Sequence, residues 1–149
     1  MKQRGFTLIE LLVVIAIIGL LSAVAVFSLN SVRADARDAR RLSDINQIQA
    51  ALDHYYTDNN AYPQAQTVLN LGIDVTALCN STVGLQDSCG DNETPYMTLL
   101  PHDPLSSQAY VYQATDGTSY NISYTLEGEV NGFSGQLSAT PSGITEVTP

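Results

Sequence analysis

The apolar positions of the chain change rhythm twice. Residues Leu11 to Phe27 form an unbroken apolar run without a charge, and Phe6, Leu8 and Ile9 extend it toward the N-terminus. A helix of roughly 22 residues at about 1.5 Å each spans a hydrocarbon core of ~30 Å. From Leu29 the apolar residues recur at three- and four-residue spacing through Val32, Ala36, Ala39, Leu42, Ile45, Ile48, Leu52 and Tyr55. This predicts that the helix leaves the membrane and continues as an amphipathic rod. The opposite face is expected to carry Arg33, Asp35, Arg37, Asp38, Arg40, Arg41 and Asp44 as a solvated or inter-subunit surface. Within it Asp38–Arg41 and Arg40–Asp44 are spaced for helical ion pairs worth tenths of a kcal/mol. The turn formers Asp58-Asn59-Asn60-Ala61-Tyr62-Pro63 end the rod near Thr57.

After the helix the period falls to two. Tyr110-Val-Tyr112-Gln-Ala114, then Asp116-Gly117, then Tyr120 to Leu126 read as a β-hairpin. On its second strand Tyr120, Ile122, Tyr124 and Leu126 share a face that should pack on Ile45, Ile48 and Leu52. A third strand is expected near Gly135 to Ala139, and Thr140 to Pro149 reads as a loose end. Residues 64 to 95 predict a short helix or turn near 65 to 70 and otherwise loop. Pro101 and Pro104 prevent regular structure and deliver the chain to the first strand of the hairpin. The pattern therefore predicts an α+β fold, one long N-terminal helix on a small antiparallel sheet. Residues 6–27 form its membrane part, 28–58 its amphipathic continuation and 59–149 the head.

Charge adds an orientation. The 149 residues carry a formal charge of -9, and all six Lys and Arg (Lys2, Arg4, Arg33, Arg37, Arg40, Arg41) precede residue 42. Of the fifteen Asp and Glu, all but Glu10, Asp35 and Asp38 follow it. Lys2 and Arg4 on one side of the span place the leader in the cytoplasm and residues 28 to 149 outside. An acidic head without Lys or Arg after residue 41 argues against nucleic-acid binding. Asp35 and Asp38 interrupt the basic cluster at Arg33 to Arg41, which speaks against a membrane-surface or nucleic-acid patch there. Cys79 and Cys89, once exported, are expected to pair, closing a short loop worth roughly 2 to 3 kcal/mol; in an oxidant-poor host they would stay unpaired.

Two residues set the apolar segment apart from a plain anchor. Gly5 ends the short basic leader, and Glu10 is a lone carboxylate inside the span, which costs about 2.5 to 3.5 kcal/mol and calls for a partner. Cleavage between Gly5 and Phe6 would create an amine one helical turn from Glu10. Ala23-Val24-Ala25 offers a rival signal-peptidase site, which would make the chain a secreted domain. An uncleaved signal anchor is another reading, but it explains neither Gly5-Phe6 nor Glu10.

Lys2-Gln-Arg4-Gly5-Phe6-Thr7-Leu8-Ile9-Glu10-Leu11 resembles the class III leader junction of bacterial type IV pilins and type II secretion pseudopilins. The resemblance implies a leader of residues 1–5, removed after Gly5 by a prepilin peptidase that N-methylates Phe6. It also implies that Glu10 faces the N-terminal amine of an adjacent subunit in a homopolymeric filament. The partners are then further copies of the chain, the peptidase, the inner-membrane assembly machinery and the membrane itself, with the filament in the periplasm or at the cell surface. Many pilins have a proline where this chain has Phe27, so an unbroken helix is expected here. Leu99 to Leu105 loosely resembles the Asp-Pro turn of major pseudopilins, with Leu105 in place of an aromatic residue. Members of that group often hold a calcium ion in the head, and Asp87, Asp91, Asn92, Glu93 and Asp103 concentrate oxygen ligands, but none matches a ligand pattern, so no metal site is assigned. His54 and His102 lack a nucleophile or metal partner at suitable spacing, and no catalytic motif is present. The expected function is a non-catalytic filament subunit; the alternative is a minor or competence pilin whose head binds DNA or a surface ligand.

Overall fold

A computed structural model describes residues 6–147 of the chain; Lys2, Arg4 and Gly5, and with them the leader, lie outside the described residues. The chain divides into two compact units, one reaching to Ala34 and the other starting at Asp35. A single 52-residue helix, α1 (Leu8–Asn59), belongs to both. Its backbone stays helical through Phe27, where no proline removes a hydrogen-bond donor.

In the first unit α1 begins where Thr7 caps it, and its apolar side chains have no covering partner. Leu8, Leu20 and Val24 are each at least two-thirds exposed. The apolar window, with a mean hydropathy of 2.9, is long enough to cross a membrane and is the one such helix among the described residues.

In the second unit α1 runs from Asp35 to Asn59 and stops on a left-handed Asn60 (φ 53°), whose N–H bonds to Tyr56 O at 2.7 Å. The Asn59 side chain also donates to Tyr55 O. An asparagine in this conformation followed by Pro63 is an efficient helix stop. Eight strands follow: β1 (Ala65–Leu71), β2 (Ala77–Cys79), β3 (Leu85–Gln86), β4 (Pro95–Met97), β5 (Tyr110–Ala114), β6 (Asn121–Val130), β7 (Phe133–Thr140) and β8 (Gly143–Glu146). They form a five-stranded antiparallel sheet in the order β1-β5-β6-β7-β8 and a small sheet in the order β3-β2-β4. The fold is α+β, as expected. Ile45, Ile48 and Leu52 of the helix share one buried core with Tyr110, Tyr112, Ile122, Tyr124 and Leu137 of the large sheet. The four residues expected on one face of β6, Tyr120, Ile122, Tyr124 and Leu126, are all buried.

Four expectations need correction. Residues 65 to 70 are β1, not a short helix; a bulge between Ala65 and Leu69 puts Gln66, Thr67 and Val68 all in the open, which erases the alternation that marks a strand. The loop predicted through residue 95 contains the small sheet, whose strands are two or three residues long and carry no periodic signal. The loose end after Thr140 contains β8, which pairs with β7 from Thr140↔Gly143 to Leu137↔Glu146. The solvated charged face is the fourth: Asp38 and Arg41 are fully buried, while Ala36 and Ala39, expected on the buried stripe, are exposed. Asn131-Gly132 (φ 54° and 82°) is a tight turn closing β6 onto β7 with Val130 opposite Phe133, and Pro141-Ser142 is a second, between β7 and β8. Asp116-Gly117 lies in a wider connection, where Asp116 accepts from Thr118 N and Oγ1. Gly72 permits a close crossing, since a Cβ there would stand 2.8 Å from the Pro101 carbonyl.

Candidate functional site

The first site is the entrance to α1. Thr7 Oγ1 accepts from Glu10 N (3.3 Å), and Glu10 Oε2 accepts from Thr7 N (2.8 Å) and Thr7 Oγ1 (2.7 Å). This is a reciprocal cap of the helix N-terminus, encoded by Thr7-Leu8-Ile9-Glu10. The same pattern was readable in the sequence, and treating Glu10 only as a carboxylate in need of a partner passes it over. Both bonds use Oε2; among the described residues none donates to Oε1. Phe6, Ile9, Glu10, Val13 and Val14 line a shallow open concavity, so the carboxylate stands in an apolar wall open to a neighbour.

The second site joins helix and head inside the second unit. Arg41 lies fully buried and makes a two-pronged contact with Asp103, Nε to Oδ2 and Nη2 to Oδ1, both at 2.8 Å. Its Nη1 reaches Asp38 Oδ1 at 2.5 Å and Glu127 Oε1 at 2.8 Å. Asp38 also accepts the backbone N–H groups of Glu127 and Gly128. Arg37 pairs with Glu127 at 2.5 Å. The Arg37 hydrogen bond, with help from Arg41, holds the Glu127 carboxyl down at about 2. Its bond to Asp103, ahead of those to Glu127 and Asp38, raises the Arg41 guanidinium above its ordinary value. Burial pushes Tyr110 up, and Asp44, which accepts from its hydroxyl at 3.0 Å, adds to this.

Several sequence candidates separate under this geometry. Arg37 and Arg41 are spent on internal carboxylates, and Arg40 leans on Asp44 at 3.6 Å. Asp103 serves Arg41 and the Leu105 N–H. Asp87, Asp91 and Glu93 do not converge; Glu93 instead accepts from Gly90 N and from the Gln86 amide. Among the described residues no group of three His, Cys, Asp or Glu is placed to hold a metal ion. Cys79 and Cys89 are joined by a disulfide, with Cα atoms 5.5 Å apart. His54 is exposed, and His102 Nδ1 lies 2.9 Å from the carbonyl oxygen of Asp103.

An exposed apolar helix entered through a threonine–glutamate cap, and continued into a helix packed on an antiparallel sheet, defines a pilin-like subunit. Two family signatures match: the prokaryotic N-terminal methylation motif over residues 1–26, and the type II secretion system (T2SS) protein G family over residues 28–137. The chain belongs to the type II secretion system protein G family. It is 35% identical over 132 residues to the type II secretion system core protein G of Pseudomonas aeruginosa, covering 88% of this chain and 89% of that one. It is 31% identical over 132 residues to the core protein G of Vibrio cholerae, with 88% and 86% covered. With that of Escherichia coli it shares 31% over 121 residues, 81% and 79% of the two chains. No solved structure gives a significant match.

Proposed function

We propose that the chain is a structural, non-catalytic subunit of the type II secretion pseudopilus, cleaved between Gly5 and Phe6 by a prepilin peptidase and N-methylated on Phe6. Before assembly residues 6–27 anchor it in the inner membrane with the head on the periplasmic side. Assembly moves the apolar helix from lipid to the company of other copies, with the inner-membrane machinery driving the transfer. The observation that carries this reading is the state of the first unit: an exposed apolar helix, entered by a carboxylate whose Oε1 takes no bond from any described residue. In the filament Oε1 of Glu10 accepts from the N-terminal amine of a neighbouring Phe6. A charge-assisted bond of this kind, shielded from water, is among the stronger polar contacts.

The Cys79–Cys89 bond closes the loop that carries Asp87, and no bound metal is part of the proposal. The relatives' shared name as secretion-system core proteins and the methylation motif support it. Mass spectrometry of the exported protein tests it directly: the expected N-terminus is N-methyl-Phe6, and a chain beginning at Val26 would sink the proposal.

A further inference from the structure

We propose that Arg41 is the hub of a latch that closes a separately opening part of the head, the end of the β6–β7 hairpin together with segment 101–105, onto the helix. Three elements meet at this one guanidinium. Asp38 comes from the same helix, Asp103 from the segment between Pro101 and Pro104, and Glu127 from β6.

The sheet itself is weakest where the latch attaches. Pairing of β6 with β7 shifts register between Thr125 and Glu129. At that bulge the N–H groups of Glu127 and Gly128 go to Asp38 on the helix, at 3.0 and 2.8 Å. Beyond the bulge, Glu129 to Ser134 pairs within its own hairpin, and its tie to the rest of the sheet is Ser134, whose N–H bonds to Glu146 of β8 at 2.7 Å. Asp38 and Asp103 are fully buried, and Arg41 is the cation that contacts both. Without it two buried carboxylates would face each other with no counter-charge, and their separation is the cheapest relief. The surrounding charged groups are engaged elsewhere: Arg37 bonds to Glu127 and reaches Asp38 only through its field, Arg40 contacts Asp44, and Asp44 is also bonded by Tyr110. The main core around Ile45, Ile48 and Leu52, which reaches these charged groups through the Tyr110 hydroxyl on Asp44, holds β5 and the first half of β6. Opening therefore exposes the half-buried Val130 and Phe133 while the rest of the head stays folded.

Hydrogen exchange by mass spectrometry on the full chain in detergent micelles tests this. In Arg41→Ala, exchange of 101–105 and 127–134 should rise by at least about tenfold, while 110–114 and 135–140 stay protected. Millimolar guanidinium, but not equal sodium chloride, should restore protection by refilling the vacated cation position. Glu127→Gln, at a partly exposed site, should give the same map with a smaller rise and supplies the result if Arg41→Ala fails to fold. Leu52→Ala should instead raise exchange across the whole head. A uniform rise in both charge variants, no rise in either, or a rise at 101–105 and 127–134 that guanidinium leaves unchanged overturns the latch.

Discussion

Glu10 and Asp38 are two carboxylates on one helix, and they are handled in opposite ways. Asp38 is fully buried, and its two oxygens are taken by Arg41 and by two backbone N–H groups of β6. Glu10 is itself exposed on an exposed apolar helix, and among the described residues its bonds are to Oε2 alone, from its own Thr7. A carboxylate whose acceptors are all used inside the chain has no capacity left for a partner. One held from one side by a local cap is already oriented and still able to accept. The difference separates what holds the head together from what the proposed assembly contact would use.

The comparison breaks most readily at Glu10. Glu10→Ala should reduce filament yield by tenfold or more, as expected when a buried charge-assisted bond of about 2 to 3 kcal/mol per interface is lost in every subunit. The thermal midpoint of the head should not move, because the hydrogen bonds of the Glu10 carboxylate among the described residues are to Thr7, far along the helix from the head's core. Electron microscopy of sheared filaments beside a melting curve reads both quantities. Filaments at wild-type yield would remove the assembly role from this residue.

Asp38→Ala reverses that pattern. It leaves Arg41 with one fewer anion and two N–H groups without an acceptor in a dry site, and breaking a buried pair from one side costs about 3 to 5 kcal/mol. Urea unfolding of the full chain in micelles should show this as a lower midpoint. Loss of filaments in this variant should follow loss of folded head, whereas in Glu10→Ala the head stays folded. Cys79→Ser with Cys89→Ser comes next, at roughly 2 to 3 kcal/mol for a loop this short, read as the difference between the variant and the oxidised wild type.

This contrast also shows which parts of the molecule are legible in the sequence. The membrane part and the Gly5-Phe6-Glu10 pattern stand out because lipid imposes one rule on every position of a span. The position of Arg41 does not, although the signal exists. Asp38, Arg41, Ile45, Ile48, Leu52 and Tyr55 continue one three-four spacing, and all six are buried. Reading Ala36 and Ala39 as that stripe, because they are apolar, turns the helix by about one residue, some 100°. A charged side chain reads as an exposed one, and a buried Arg41 needs, beside its helix neighbour Asp38, the carboxylates of Asp103 and Glu127, sixty and more residues away. Their contribution is a long-range fact with no local signature. The same holds for β8, a four-residue strand whose place depends on β7 being there to pair with it. The hairpin strands β5 and β6 were readable because alternation and burial coincide in them.

The Glu127 carboxyl sharpens the comparison through pH. Its folded value lies near 2 against an ordinary 4.5, held down first by Arg37 and then by Arg41. A depressed carboxyl stabilises the fold above its unfolded value and loses that contribution as pH falls through the folded one. Between pH 4.5 and 2 the wild type should therefore lose more thermal stability than Glu127→Gln, by about 5 °C. Parallel melting curves across this window check it, and identical slopes would show that the ion contacts of Glu127 do not contribute to stability.

The smallest effect belongs to the residue beside the largest. Arg40 and Arg41 are neighbours in sequence with the same side chain, yet the Arg40 side chain is 59% exposed and meets Asp44 only at 3.6 Å. At that separation water screens the pair, and ordering a long side chain offsets much of the attraction, so Arg40→Ala should cost less than about 0.5 kcal/mol. Asp44 keeps its bond from Tyr110 in the variant, which leaves no buried anion without a partner. A urea midpoint within error of the wild type is the expected result. A loss on the scale of Asp38→Ala would mean that Arg40 belongs to the buried network, and would erase the distinction drawn between adjacent faces of this helix.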